Sequence, residues 1–362
     1  MKLRGACVVV VTVTAACGGS EAPAPVTTLH LTTDGALGYG APIELGGQAF
    51  AAKLDMGTAS TAVAASACGA GCAGVSPLYA PSATMIDRHE PARADRARAT
   101  WSGDVVEDAM ALGEVDAPLD FVAVSAQAGA FDGNAFQAIL GLGPDELLVP
   151  GTTGVMSQLA EPTVAIQLCP DHGQMWLGGF EPAGAAAPGV PAQVAAMRPR
   201  SAARPQYAVG VSTLAIGGAA IADAAAVGDA VVDVGTARSL LPAPVVDALL
   251  AQVNASPGFR ALFPGQTLGG GAASCVAGAT VTTEQVDAAL PELAIGFGGV
   301  ALPAQPTRSY LTAAGDGRFC FAIDRGGDAP GAILGASLLR AFVTIVDAGA
   351  QTISFQPETD CI

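Results

Sequence analysis

A chain of 362 residues is long enough for two hydrophobic cores, because a single core stops growing at roughly 250 to 300 residues. Hydrophobic residues make up 51% of it and charged residues 13%, with 46 Gly and 25 Pro; this excludes a disordered chain and favours many short elements joined by tight turns. The formal charge of -16, from 16 Lys and Arg against 32 Asp and Glu, would repel a phosphate backbone and argues against a nucleic-acid partner.

Met1-Lys2-Leu3-Arg4 followed by the apolar run Cys7 to Ala16 predicts an export signal over residues 1–16, too short for a permanent membrane span. Ala15 and Ala16 before Cys17, with Gly18-Gly19-Ser20 after it, resemble a bacterial lipoprotein processing site, although Thr14 stands where such sites usually carry Leu. Two outcomes stay open: a lipid anchor at Cys17 that holds the protein to the cell envelope, or plain secretion. Residues 17–38, Pro- and Ala-rich from Ser20 to Thr28, are expected to form a tether or amino-terminal extension.

Period-two or short apolar runs bounded by glycines then predict strands at Ala41 to Leu45, Ala49 to Leu54, Phe121 to Val124, Val164 to Leu168 and Met175 to Leu177. The pattern continues at Tyr207 to Ile216, Ala230 to Asp233, Phe342 to Val346 and Thr352 to Phe355. Helices are expected at Gly154 to Ala160, Pro242 to Ala255, Thr283 to Leu290 and Ala336 to Ala341. The fold class is therefore all-β with a few short helices.

A coarse repeat divides the chain. Leu54-Asp55-Met56-Gly57-Thr58 is followed by Ala138-Ile139-Leu140-Gly141, and Val232-Asp233-Val234-Gly235-Thr236 by Ala332-Ile333-Leu334-Gly335. The same two signatures in the same order imply two related lobes, expected at 39–185 and 206–362. The segment 186–205 joins them, within a stretch from Pro182 to Pro205 dense in Ala, Pro and Arg.

Setting aside Cys7 in the signal and Cys17 leaves Cys68, Cys72, Cys169, Cys275, Cys320 and Cys361, an even set that fits three disulfides in an oxidising compartment. Spacing suggests Cys68 with Cys72 and Cys275 with Cys320; Cys169 with Cys361 is what remains. A metal site at Cys68-x3-Cys72 lacks partners, because His30, His89 and His172 form no local cluster, and no metal or cofactor is expected. Gly269-Gly270-Gly271 lacks the Lys of a phosphate loop, and no Gly-x-Ser-x-Gly occurs.

The chemistry is expected at Asp55 and Asp233. Gly57 and Gly235 let the chain bend tightly beneath each carboxylate, and the hydroxyls of Thr58 and Thr236 can hydrogen-bond to it. One Asp-x-Gly-Thr turn is weak evidence, whereas two in matching lobes are strong. Facing each other across a two-fold axis, the carboxylates could not both ionise cheaply and would share a proton. The ionised member would then act as general base on a water, and the protonated one would hydrogen-bond the substrate carbonyl.

From about Tyr39 to the carboxyl terminus the chain resembles the pepsin-like aspartic proteases. Their Asp-Thr-Gly-Ser/Thr loops fall on Asp55-Met56-Gly57-Thr58 and Asp233-Val234-Gly235-Thr236, and their hydrophobic-hydrophobic-Gly strands on Ile139-Leu140-Gly141 and Ile333-Leu334-Gly335. Gln174 to Gly179 is similar to the family's apolar hairpin, and Phe342 to Phe355 to its final strand pair around an Asp, here Asp347. The pairings Cys68–Cys72 and Cys275–Cys320 look like family disulfides, and Cys169–Cys361 like a variation in membrane-associated members. The resemblance implies a bilobal fold with pseudo-two-fold symmetry and hydrolysis of an extended polypeptide without a covalent intermediate.

Two departures stand out. In the family the Thr between Asp and Gly crosses to the opposite loop and hydrogen-bonds its backbone; Met56 and Val234 carry no hydroxyl and cannot do so. In the flap hairpin, counting back from Ser102-Gly103 places Arg96 at the family's Tyr and Ala97 and Ala99 at its glycines, with Trp101 nearby. Arg88, Arg93, Arg96 and Arg98 read as charges of a solvated hairpin rather than an anion site. Ile139, Leu140, Ile333 and Leu334 read as core.

The expectation is thus an exported, monomeric aspartic endopeptidase with apolar preference on both sides of the cleaved bond. The alternative is a catalytically inactive cell-envelope protein that uses the same cleft to bind a peptide or protein.

Overall fold

Strand Gln48–Asp55 shows how the alternation is used: Phe50, Ala52 and Leu54 are buried, while Ala51, Lys53 and Asp55 lie on the opposite, partly exposed face. The computed structural model describes residues 26–95, 99–131, 135–180, 193–271, 274–299, 301–326, 331–358 and 361. The expected signal over 1–16, Cys17, and Arg96, Ala97 and Arg98 of the expected flap lie outside the described residues.

The two halves repeat one strand arrangement. In the first, Gln48–Asp55 runs parallel to Ala138–Gly141, which is antiparallel to Ala62–Ala64, itself parallel to Val115–Ala128. In the second, Asp229–Val232 runs parallel to Ile333–Leu334, which is antiparallel to Ser239–Pro242, itself parallel to Ile323–Gly326. Parallel pairing needs long crossovers, so both halves thread the chain through the same topology. Each Ile-Leu-Gly strand ends beneath an Asp loop. A side chain on Gly141 would strike the backbone of Ala59 and Ser60, and one on Gly335 the carbonyl of Thr236, which is why both strands close on glycine.

A six-stranded stretch of sheet joins the halves, with strands from both ends and the middle of the chain. Its order is Gln193–Ala196, Thr352–Pro357, Phe342–Asp347, Thr163–Leu168, Gly173–Leu177 and Thr27–Thr33. Buried Leu29, Ile166, Met175, Val346, Ile353 and Phe355 place one face of it in the main core, which spans both halves.

Two of the expected segments contribute strands to this platform. The tether expected over 17–38 includes Thr27–Thr33, a strand that pairs with Gly173–Leu177 because alternate Leu29 and Leu31 find cover there. The joining segment 186–205 includes Gln193–Ala196, an edge strand on Thr352–Pro357.

The strand expected continuously over Tyr207 to Ile216 is split into Ala208–Gly210 and Thr213–Ile216, which belong to different sheets. Val211 N donates to Gly228 O and Ser212 N to Gly296 O, so the switch occurs between adjacent residues. The long hairpin Thr100–Leu112 and Val115–Ala128 extends well beyond the expected Phe121 to Val124.

Three expected helices form, at Ala243–Ala255, Thr283–Ala289 and Ala336–Leu339. Thr282 and Gln285 close a capping box on the second. The fourth, Gly154 to Ala160, is only a single 3-10 turn at Met156–Gln158; Gly154 is instead bridged to Ser60 beside the first Asp loop. Pro257–Leu262 is an additional helix, started by Ser256, whose side chain accepts from Phe259 N.

All three disulfides are formed: Cys68–Cys72 closes a local turn, Cys275–Cys320 joins directly opposed residues of paired strands, and Cys169–Cys361 ties the tail to the platform. No described helix is long and apolar enough to cross a membrane.

Candidate active site

Each Asp is delivered by its strand to the point where parallel pairing ends. Asp55 is in register with Gly141, and Asp233 N donates to Leu334 O at 3.0 Å. Both turns then close identically: Gly57 N donates to Asp55 Oδ1 at 2.7 Å, and Gly235 N to Asp233 Oδ1 at 2.9 Å. This is an Asx-type turn in which the carboxylate binds the backbone two residues on, and the following glycine leaves the approach open.

The turns meet. Met56 N donates to Asp233 Oδ1 at 3.1 Å, linking residues 177 positions apart. A methyl group placed on Gly57 would lie 3.0 Å from Asp55 Oδ1 and 3.4 Å from Asp233 Oδ2, touching both carboxylates. One placed on Gly235 would lie 3.0 Å from the same Asp55 oxygen. The structure therefore brings Asp55, Asp233, Gly57 and Gly235 into a single site, with Asp55 half-buried and Asp233 8% exposed.

The two hydroxyls differ. Thr236 Oγ1 donates to Asp233 Oδ2 at 2.7 Å, as expected. Thr58 Oγ1 accepts from Ser60 N at 3.3 Å, and its carbonyl accepts from Gly143 N, just past strand Ala138–Gly141, at 2.7 Å. Ser60 Oγ and Thr152 Oγ1, 2.7 Å apart, brace that loop; in the second half Ser239 and Ser337 do so, with oxygens 3.0 Å apart.

Met56 and Val234 are 0% and 1% exposed and join the continuous core. Their apolar side chains fasten the loops to the interior, while the backbone amide of Met56 crosses to the carboxylate of Asp233.

A family model described as eukaryotic aspartyl protease matches residues 38–358. The chain belongs to that family. No curated protein matches it. For this aspartyl protease family member the match spans both Asp loops and all the described strands except the first.

Beside Asp55 lies a pocket of about 100 Å3, lined by Lys53, Thr58, Trp101, Ala130 and Ile139 among others. Sequence reasoning treated Ile139 as core; it is half-buried and faces this pocket, because the strand's alternation buries Leu140 and turns Ile139 outward. Lys53 was missed, although its position two residues before Asp55 on a strand is the signal that places both on one face. Trp101, noted only as near the flap, is a wall of the pocket. Of the arginines read as solvated, the two described ones sit on exposed strand Ile86–Asp95: Arg88 pairs with Glu107 and with Asp120 at 2.7 Å, and Arg93 with Asp95 at 2.9 Å.

Proposed function

We propose that the protein is an exported aspartic endopeptidase acting on extended polypeptides as a monomer, either secreted or held to a bacterial cell envelope through lipidated Cys17. The observation that carries the catalytic reading is the meeting of the two turns, with Met56 N on the carboxylate of Asp233 and both loop glycines against Asp55.

In this reading one carboxylate of the pair, ionised, takes a proton from a water as that water attacks the peptide carbonyl. The other, protonated, donates to the carbonyl oxygen as negative charge develops. Collapse of the tetrahedral species breaks the C–N bond while a proton passes to the departing amine. Thr236 and the amides of Gly57, Gly235 and Met56 orient the carboxylates, and this matters because a displacement of about 1 Å can cost about 100-fold in rate.

A second reading, a peptide-binding protein without activity, draws support from the missing hydroxyls at Met56 and Val234. Digestion of a denatured protein from acidic to neutral pH separates the two. Cleavage that disappears in Asp55→Asn and Asp233→Asn supports the endopeptidase; no asparagine-sensitive cleavage at any pH leaves the binding protein.

A further inference from the structure

Lys53 and Asp55 are next-but-one neighbours on strand Gln48–Asp55, so their side chains leave the same face, with alpha carbons about 7 Å apart. Both line the small pocket beside the carboxylate pair. Lys53 is half-buried and is in register with Ile139, which faces the same pocket, and with Gly40, where the Phe136 ring takes the place of a side chain. Among the described residues Lys53 makes no ion pair.

Two physical constraints narrow what this pocket accepts. The first is size: at about 100 Å3 the pocket is small and favours a short side chain over a large aromatic one. The second is charge. An aliphatic side chain seated there would strip water from the Lys53 ammonium and offer nothing in return, whereas a carboxylate would form a charge-assisted hydrogen bond. The overall charge of -16 is screened by salt beyond about 8 Å; the nearer opposition comes from Asp55, which lines the same pocket, and it is least when Asp55 is the protonated member of the pair.

We propose that Lys53 makes the pocket beside Asp55 a receptor for a short acidic side chain, so that one of the two residues flanking the cleaved bond is aspartate or glutamate. This replaces the apolar preference expected from the sequence on that side of the bond. The assignment rests on the endopeptidase reading for its chemistry, but the recognition itself is a matter of binding and is tested as such.

The test uses peptides in which a non-cleavable hydroxyethylene unit replaces the scissile amide, with Glu, Gln, Leu, Phe or Lys at each flanking position in turn. Binding to the whole protein, and to Lys53→Gln and Lys53→Glu, is measured by calorimetry. At one flanking position the Glu peptide is expected to bind about tenfold tighter than its Gln counterpart. Lys53→Gln removes that difference, and Lys53→Glu shifts preference to the Lys peptide. Equal binding of Glu and Gln, preference for Leu or Phe, a Glu preference that survives Lys53→Gln, or no binding of any peptide overturns the assignment. The matching amide peptides are assayed in parallel. Lys53-dependent binding of the Glu isostere without cleavage of its amide counterpart overturns the endopeptidase reading and leaves the pocket assignment standing.

Discussion

The backbone amide of Met56 donates to Oδ1 of Asp233 at 3.1 Å, so a loop of the first half holds the carboxylate of the second. A backbone donor depends on loop position rather than on side-chain chemistry, and loop position here depends on burying Met56 and Val234. The lock that the family resemblance assigns to a hydroxyl is here divided between a main-chain hydrogen bond and apolar packing.

Met56→Ala tests that division. Truncating a fully buried Met costs about 2 to 5 kcal/mol, and here the cavity would open beneath the first Asp loop. Denaturant unfolding should show a loss in that range, together with a fall in kcat. Unchanged stability would mean that Met56 does not anchor the loop.

The glycines under the loops should tolerate nothing larger. Gly141→Ala and Gly335→Ala each force a methyl group against backbone of the adjacent Asp loop. Overpacking of this kind costs about 1 to 3 kcal/mol, and a thermal melt of each variant should show it. Full stability and activity in either would contradict the close crossing.

The Asp loops were legible in the sequence because an Asp-x-Gly-Thr turn after an apolar strand recurs twice, and local turn chemistry survives folding. The paired strands beneath them were legible for the same reason. The six-stranded platform was not, since its members come from residues near 30, 170, 195 and 350 and meet only through tertiary pairing. Lys53 was overlooked because a lysine in a half-exposed strand looks like ordinary surface until the position of Asp55 fixes which face is the cleft. Gly154 to Ala160 carried helical composition, but its bridge to Ser60 fixed it otherwise.

Burial pushes the Glu358 carboxyl up to about 7, against the pull of Arg308 at 2.9 Å. With the unfolded group near 4.3, the folded protein holds the proton more tightly, so stability is greatest below that value and declines as pH rises toward 7. Glu358→Gln mimics the protonated form. Relative to the parent, it should gain about 3 kcal/mol between pH 4 and pH 8. Melts at the two pH values that move in parallel would refute this.

The bond Cys169–Cys361 closes most of the second half of the chain into a loop. Replacing both cysteines by Ser should lower stability by about 2 to 5 kcal/mol, and added reductant should then have less effect on the melt than in the parent. A melt unchanged by the double substitution would show that the tail is held by other contacts.

The central claim is that Asp55 and Asp233 act as one unit on one water. Its most direct test is kcat/KM on a single peptide for the parent, Asp55→Asn, Asp233→Asn and the double variant. Residues that act as a unit are strongly non-additive, so each single change should cost at least about 1000-fold and the double change no more than about tenfold beyond either. Losses that multiply in the double variant, or a single variant that keeps its activity, would contradict the account.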